Sequence, residues 1–480
     1  MTDDTIAGES TGFGRVGRWV GLILGPALAI GLQLMARPEG LSAEAWWVVS
    51  LAALMVTWWV TEAIPISATA LIPLVVLPLV GAASIKESAA PYADPIVFLF
   101  IGGFILAAAV ERWRLHERIA LSIAVRSGGR PTALVAGFMI GAALISMWIS
   151  NTATTLMLAP IALGAARALA HEGKPDLALG GALMLGVAHA STIGGIGTPV
   201  GTPTNLIGRA FLERAGEDIS FLQWMAMAAP IMLMMLPLAW LFLCLPLFGK
   251  GRDKSEAIIS VVRQALAALG KITTPEMRVA LVFGLTAIAW MSSAVVKEHV
   301  PGLDGLNDTT IAIAGALLLF FVPSGRGQGE KLVTWQTAER IPWGIAVLYG
   351  GGLALAAAME STGLAQWIGG QIAGFDGLSA FALVAVLVIV TILISELASN
   401  VATLTSVLPI VAAVAGATDA PLAPLAFPVT LAASFAFMLP VATAPNAIAY
   451  SSGLVTLKRM LAVGLGLNIA AAALILSFAA

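Results

Sequence analysis

Two short polar motifs interrupt long stretches of the chain that carry no charged residue. One is Ser150–Thr152 (Ser-Asn-Thr) and the other is Ser399–Val401 (Ser-Asn-Val). Two further interruptions, at Gly201–Asn205 and Ala442–Asn446, combine helix-breaking residues with threonine and asparagine. Proline and glycine inside an apolar run break the helix and leave backbone carbonyls without partners. Carbonyl, hydroxyl and amide oxygens are hard ligands, which suit a small cation such as Na⁺.

The same breaks create helix N-termini, where unpaired N–H groups and the positive end of the helix dipole favour an anion. None of the four motifs contains Arg or Lys, so a bound dianion would need its charge balanced by something other than a side chain. Bound cations can supply that charge, which makes anion binding depend on cation binding. The pattern therefore predicts symport of an anion with cations. Proton coupling has less support, because proton relays use Asp, Glu or His inside the membrane.

A capped turn without any ligand is the alternative interpretation, because Ser and Asn side chains also satisfy backbone groups at helix ends. The presence of two copies, each paired with a second broken segment, favours a ligand site. Two titratable residues also need an interpretation. Glu396 either tunes a cation site or is a buried structural carboxylate, and His189 is interpreted as a hydrogen-bonded core histidine.

The motifs belong to an internal repeat of the chain. Asn151 is followed nine residues later by Pro160 and Asn400 at the same distance by Pro409, which gives an offset of 249 residues. The two broken segments recur at an offset of 241 residues. Each repeat holds an odd number of predicted spans, so the two halves must cross the membrane in opposite directions. Inverted repeats are the architecture of secondary transporters, since two opposed copies supply two nearly equivalent packings.

The composition places these motifs in a membrane protein. Of the 480 residues, 59 % are hydrophobic and 11 % are charged, whereas about 25 % of residues are charged in an average globular protein. The net charge of −2 provides no basic surface for nucleic acid. The single cysteine, Cys244, excludes a disulfide framework and a cysteine-based zinc cluster. A polytopic membrane enzyme is the rival class, but the sequence offers no convergent nucleophile, base or metal set for it.

Charge-free runs predict the transmembrane helices. A helix needs about 20 apolar residues to cross a bilayer, and the runs predict an all-α polytopic membrane protein with about eleven spans and two re-entrant hairpins, at 131–166 and roughly 379–416. The runs are 19–36, 45–61, 63–85, 95–110, 131–166, 177–208, 219–249, 279–296, 309–325, 341–359, 377–395, 397–418, 420–457 and 460–480. Lys and Arg concentrate in 111–130 and 250–278, which places those loops and the N-terminus in the cytoplasm. The first run lacks a clear cleavage site, so it is predicted to remain as an anchor in the inner (plasma) membrane.

The chain resembles a known family along its whole length. The segment Trp58–Ile66 (Trp-Trp-Val-Thr-Glu-Ala-Ile-Pro-Ile), the two Ser-Asn motifs and the two Thr-x-x-Asn breaks are similar to the divalent anion:sodium symporters, the DASS or INDY-type carriers. The resemblance implies a homodimer with an elevator mechanism, in which a transport part moves against a static scaffold. The implied parts are a first scaffold part at 1–130, a first transport part at 131–249, a cytoplasmic linker at 250–278, a second scaffold part at 279–378 and a second transport part at 379–480.

The resemblance also implies which residues bind the ions and the substrate. At least two Na⁺ sites are implied, each built from one hairpin and the broken segment of the same repeat. The first Na⁺ site comprises Ser146, Ser150, Asn151 and the backbone near Gly201. The second comprises Ser395, Ala398 through its carbonyl, Asn400 and the backbone near Ala442. The implied substrate-binding residues are Ser150, Asn151, Thr152, Thr202, Ser399, Asn400, Val401 and Thr443.

Three positions depart from the family pattern. Val401 stands where bacterial members often have Thr, which removes a hydroxyl from the second substrate lobe, and Thr204 and Ala444 replace prolines that are common in the breaks. The prediction is Na⁺-coupled inward symport of a divalent anion, a C4-dicarboxylate such as succinate, malate or fumarate, with no catalytic residues. A Na⁺-independent dicarboxylate exchanger and a sodium:sulfate symporter are the alternatives within the class.

Overall fold

The computed structural model describes residues 12–168, 176–248, 256–303, 305–327, 329–364, 367, 380–418 and 421–479. Over these residues the regular structure is helical, apart from one isolated antiparallel bridge between Pro323 and Lys331. The α-helices are α1 (Gly12–Leu34), α2 (Ala43–Thr61), α3 (Ile66–Thr69), α4 (Pro73–Leu79), α5 (Ile85–Ala89), α6 (Pro95–Arg112), α7 (Leu115–Val125), α8 (Pro131–Ser146), α9 (Asn151–Arg167), α10 (Leu177–Gly195), α11 (Pro203–Arg214), α12 (Phe221–Cys244), α13 (Glu256–Ala268), α14 (Thr274–His299), α15 (Asp308–Phe321), α16 (Trp335–Ala338), α17 (Trp343–Ser361), α18 (Ala380–Ser395), α19 (Asn400–Thr418), α20 (Ala423–Ser434), α21 (Ala444–Ser451) and α22 (Leu457–Ala479). The predicted all-α fold is confirmed.

Seven stretches of helix within the described residues are long and apolar enough to cross a membrane. They are Gly17–Leu34, Ala43–Thr61, Ile85–Arg112, Leu177–Gly195, Phe221–Leu247, Trp343–Ser361 and Leu457–Phe478. Shorter apolar helices of 10–17 residues accompany them, and these include the helix before the first Ser-Asn motif and the helices on both sides of the second. A polytopic membrane protein in which full spans alternate with shorter apolar helices follows from this pattern.

Two charge-free runs divide into shorter helices instead of forming one continuous span. In the run 63–85, α3 ends at Thr69 and α4 begins at Pro73. A proline in the first turn of a helix loses no helical hydrogen bond, so Pro73 favours the start of a helix at that position. The run 420–457 divides in the same way, since α20 and α21 are separated by the non-helical segment 435–443.

The first predicted hairpin is present. Pro131 occupies the start of α8, where its missing N–H has no helical partner to lose. The helix ends at Ser146, and α9 starts after Ser150, whose hydroxyl accepts a hydrogen bond from the N–H of Ala153 at 3.1 Å. The two helices pack against each other. A capped start four residues after the previous helix therefore produces the tight polar turn that the sequence predicts.

The chain divides into two compact units, and the first comprises Met1–Val97, Trp343–Ala380 and Val401–Leu422. In its described part, helices α2 and α17 contribute most of an apolar cluster that includes Val48, Trp59 and Leu348. Ala402 at the start of α19 belongs to this cluster, and Val401 packs against it.

The second unit comprises Phe98–Pro342, Phe381–Asn400 and Ala423–Ala480. Helix α10 lies at its centre, packed against α8, α9, α12 and α21, and 89 % of this span is buried. One piece of this unit ends at Asn400, within the second polar motif. The predicted scaffold and transport parts stay a prediction, as does which of them moves during transport.

Candidate functional site

The first polar motif places two oxygen-bearing side chains in direct contact. Ser146 at the end of α8 is fully buried, and its hydroxyl donates a hydrogen bond to Oδ1 of Asn151 at 2.6 Å. Asn151 is the first residue of α9, so its side chain lies at a helix N-terminus whose first backbone N–H groups lack helical partners. Ser150 precedes it as the capping residue and is exposed, and Thr152 is half-buried. The turn thus presents hydroxyl and amide oxygens together with free N–H groups.

The first broken segment approaches this turn at Gly201. A Cβ atom built on Gly201 would lie no more than 3.0 Å from the carbonyl oxygens of Gly195, Met147 and Ser146. We call these three oxygens, which surround one small space, the carbonyl cradle. Next to the cradle, a Cβ atom on Gly195 would meet Oδ1 of Asn151. Only glycine leaves such a space open, and several carbonyl oxygens around it form the type of site that a bare Na⁺ requires.

A second set of contacts ties the broken segment to the first hairpin and to itself. The hydroxyl of Thr198 donates to the carbonyl of Met147, one of the cradle oxygens. The side-chain amide of Asn205 donates to the carbonyls of Gly195 at 2.8 Å and Thr198 at 2.7 Å. The two bonds from Asn205 satisfy backbone carbonyls that lose their helical partners where α10 ends.

The second polar motif has its own set of contacts. The hydroxyl of Ser395 donates to the carbonyl of Ala433 at 3.0 Å, and the amide nitrogen of Asn400 donates to the carbonyl of Ser434 at 3.2 Å. Oδ1 of Asn400 is buried and has no hydrogen-bond partner among the described residues. A buried acceptor without a partner is costly unless a ligand or water fills the role. This oxygen fits a cation ligand.

The other predicted residues of the second site form two pairs of chain neighbours, one at 398–399 and one at 442–443. Ala398 and Ala442 are buried, and Ser399 and Thr443 are half-buried. Thr443 has an extended backbone with φ −142° and ψ 150°, almost the same as Thr202 with φ −143° and ψ 146°. Each threonine immediately precedes the helix that restarts after the break, so the two repeats share their local geometry.

The two repeats meet within the second unit. The hydroxyl of Thr204 lies 2.6 Å from that of Ser434 and donates to that of Thr202 at 3.3 Å. The backbone carbonyl of Ser434 separately accepts from Asn400, so Ser434 contacts both the first broken segment and the second polar motif. Helix α21, which follows the second break, packs against both α9 and α10. Val401 lies outside this group, because it packs in the apolar cluster of the first unit.

Glu396 is buried and is held by four neighbouring groups. Its carboxylate accepts hydrogen bonds from the backbone N–H groups of Phe437, Met438 and Leu439 at 2.7–3.1 Å, and from the side-chain amide of Asn468 at 2.7 Å. These donors stabilise a charged carboxylate away from water. The first repeat has Met147 at the corresponding position. Of the two interpretations of Glu396, the contacts favour the structural carboxylate, which orders the segment before the second break.

His189 differs from its prediction as a hydrogen-bonded core residue. It is fully buried and packs edge-on against Phe437, with ring centroids 5.1 Å apart. Neither ring nitrogen has a hydrogen-bond partner among the described residues. Within the described residues, the His189 side chain is therefore held in position by packing and not by hydrogen bonds.

Several residues that contribute to the site were not predicted from the sequence. Ser434 and Asn468 stand singly in apolar runs, where nothing in their spacing indicates a partner. Asn205 belongs to a segment that the sequence does single out and Thr198 lies three residues before that segment, but the hydrogen bonds of both depend on the folded loop. The described residues contain no group of three or more His, Cys, Asp or Glu that could hold a metal ion. A site built from neutral oxygens suits Na⁺ and does not suit transition metals.

Comparison with known proteins shows the family to which the chain belongs. The family model of the sodium:sulfate symporter transmembrane region matches residues 17–480. The chain belongs to this symporter family. The sodium-dependent dicarboxylate transporter SdcS of Staphylococcus saprophyticus subsp. saprophyticus is 38 % identical over 463 residues, which is 95 % of this chain and 89 % of that protein. The SdcS of Staphylococcus aureus (strain bovine RF122 / ET3-1) is 36 % identical over 468 residues, which is 96 % of this chain and 90 % of that protein.

A solved structure extends the comparison to the fold. The crystal structure of the Alcanivorax borkumensis YdaH transporter superposes with a TM-score of 0.57, covering 97 % of this chain and 98 % of that one. The identity between the two sequences is 15 %, so the likeness concerns the fold alone. The predicted resemblance to the divalent anion:sodium symporters is confirmed, and this member of the sodium:sulfate symporter family is a multi-pass membrane protein.

Proposed function

We propose that the protein is a secondary transporter that couples inward movement of a C4-dicarboxylate (succinate, malate or fumarate) to Na⁺. The carbonyl cradle beside Asn151 is the observation on which this proposal rests, because it offers a dehydrated Na⁺ several hard oxygens. The names of the SdcS relatives support Na⁺ and a dicarboxylate as the transported species. A Na⁺-independent exchanger and a sodium:sulfate symporter are the two alternatives.

The proposed site contains at least two Na⁺ positions, one in each repeat. Their ligands are those implied by the family resemblance, with the carbonyl cradle as the backbone part of the first site. The substrate carboxylates meet the N-termini of α9 and α19 and the hydroxyls of the neighbouring serines and threonines. No Arg or Lys lies in the four motifs, so Na⁺ supplies the charge that balances the dianion. Substrate affinity then rises with Na⁺ occupancy, which is the basis of symport.

The proposal also includes the oligomeric state, the orientation in the membrane and the movement that carries the substrate across. The protein works as a homodimer in the plasma membrane with a cytoplasmic N-terminus, and the substrate crosses by an elevator movement of a transport part against a scaffold. The family resemblance supports this mechanism, and the division of the chain into two compact units is compatible with it.

Uptake of labelled succinate into proteoliposomes tests the proposal. With an inward Na⁺ gradient we expect concentrative uptake, and with an equal K⁺ gradient we expect none. No concentrative uptake with either cation, together with rapid uptake into vesicles preloaded with dicarboxylate, would show an exchanger instead. If sulfate accumulates with Na⁺ and unlabelled succinate does not compete, the protein is a sulfate symporter.

Replacing Gly201 by alanine is expected to lower Na⁺ affinity at the first site by about tenfold or more, the effect typical of disturbing groups that orient ligands. The added methyl group would lie within 3.0 Å of three backbone carbonyl oxygens, which cannot all move away. The Na⁺ concentration for half-maximal succinate uptake is the measurement. Gly103→Ala is the matched control, because its methyl group would make only ordinary contact with Val200 at 3.5 Å. Unchanged Na⁺ dependence in the Gly201 variant would exclude the cradle as a Na⁺ site.

A further inference from the structure

Two asparagines occupy the same position in the two repeats and make the same two hydrogen bonds. The amide of Asn205 donates to the carbonyls that lie ten and seven residues before it. The amide of Asn446 does the same, to Ala436 at 2.9 Å and Leu439 at 3.0 Å. Both asparagines are fully buried. The repeat offset of 241 residues maps each donor and each acceptor of one set onto the other.

The chemistry of these contacts requires asparagine. A side-chain amide carries two N–H donors on one nitrogen, so it can serve two carbonyls at once. Serine and threonine have a single donor, and an aspartate has none when ionised and one when protonated. Each asparagine therefore closes the non-helical segment before it into a loop of fixed shape. We call these two loops, 195–205 and 436–446, the closed loops.

The first closed loop is joined directly to the proposed Na⁺ ligands. The carbonyl of Gly195, which accepts from Asn205, is also one of the three oxygens of the carbonyl cradle around Gly201. The direction of that carbonyl sets where the cradle oxygens converge. Gly195 also lies against Oδ1 of Asn151. Asn205 thus acts on the first Na⁺ site through one intervening residue, Gly195.

The second closed loop adjoins the second site in the same way. It begins two residues after Ser434, whose carbonyl accepts from Asn400, and it contains Ala442. It has an additional restraint, because the carboxylate of Glu396 binds three consecutive N–H groups within it. The first closed loop has other restraints, since Thr198 donates to the carbonyl of Met147, the counterpart of Glu396 in the repeat, and the indole of Trp224 donates to the carbonyl of Ile196 at 3.0 Å.

We propose that Asn205 and Asn446 are positioning residues, and that each sets the carbonyl geometry of the Na⁺ site in its own repeat. This inference rests on the proposed Na⁺-coupled function. The two residues bind neither ion nor substrate themselves. Their loss lowers Na⁺ affinity, and the loss is larger for Asn205, because Glu396 still holds the second closed loop.

Thermal unfolding of purified protein in detergent tests this inference, with NaCl compared against KCl at equal ionic strength. Na⁺ that binds only the folded protein raises the unfolding temperature. Asn205→Asp and Asn446→Asp should each reduce the Na⁺-dependent rise, and the double variant should abolish it. The Na⁺ concentration for half-maximal succinate uptake should rise about tenfold in Asn205→Asp, as for other changes to groups that orient ligands, and less in Asn446→Asp. Asn307→Asp is the control, since the side-chain oxygen of Asn307, which aspartate keeps, caps α15.

The outcomes separate the two proposals. A wild-type protein whose unfolding temperature is equal in Na⁺ and K⁺ would overturn the proposed function itself. A wild-type protein with a Na⁺-dependent rise, and Asp variants with the same rise and the same Na⁺ activation, would overturn only the positioning role. If Asn205→Asp does not fold, Asn205→Ser and Asn446→Asp decide the matter, because the first keeps one donor and the second keeps the restraint from Glu396. In these variants too, an unchanged Na⁺ response would reject the inference.

Discussion

Replacing either Asn151 or Asn400 alone by alanine is expected to abolish Na⁺-driven succinate uptake, while each variant protein remains folded and inserted. Each residue starts the helix after its polar motif, and each carries an amide oxygen at the proposed meeting point of Na⁺ and substrate. The substitution removes a Na⁺ ligand together with a contact to the substrate. The cost to the fold is small by comparison, about 1 kcal/mol for a typical hydrogen bond. Because each site takes part in coupling, losing one is enough to stop concentrative transport.

The measurement is initial uptake in proteoliposomes at matched amounts of reconstituted protein. Unfolding temperature in detergent without Na⁺ shows whether the variants are folded. Asn307→Ala serves as the control, because Asn307 is exposed, caps α15 and belongs to none of the four motifs. Full transport by either Asn151→Ala or Asn400→Ala would reject the assignment of that residue. Loss of transport together with loss of the folded protein would show a structural role instead.

Replacing Glu396 by alanine is expected to destabilise the protein severely. The change leaves three consecutive backbone N–H groups and the amide of Asn468 buried without their acceptor. Each buried hydrogen-bond donor left without an acceptor costs about 1–3 kcal/mol. The segment 435–443 should then lose its fixed conformation, and the second broken segment with it.

Thermal unfolding and the yield of monodisperse protein in detergent measure this effect. Glu360→Ala is the matched control, since Glu360 is an exposed carboxylate at the end of α17. Glu396→Gln keeps one carbonyl oxygen and should give an intermediate loss of stability. If Glu396→Ala is as stable as the wild type, the carboxylate does not order the segment. If Glu396→Gln is stable and only its Na⁺ activation shifts, the residue tunes the cation site instead.

Local patterns predicted the main parts of the site well. The turn between α8 and α9 follows from Ser150 as a capping residue and from Pro131 at the start of the first arm. The breaks follow from proline and glycine inside apolar runs. In the charge-free run 63–85, α3 ends at Thr69 and α4 begins at Pro73, so uniform hydropathy alone does not locate helix boundaries.

The partners of these residues could not be predicted from spacing. Asn205 stands in a segment that the sequence singles out, yet its two acceptors become apparent only once the chain before it has folded back. Ser434 and Asn468 carry no local pattern, and the sequence leaves both interpretations of Glu396 open. Val401 illustrates the same limit, since it adjoins Asn400 in sequence but packs in the apolar cluster of the first unit.

The sequence alone therefore determined where helices stop, that the halves repeat, and that the interruptions expose neutral oxygens. These are local properties, because helix caps and prolines act on the adjacent turn of helix and a transmembrane span is one continuous apolar stretch. Only the tertiary structure decided which oxygens meet, as between Thr204 and Ser434, which are 230 residues apart. Hydrogen bonds are short and directional, so partners this far apart in sequence depend on the packing of α11 against α20.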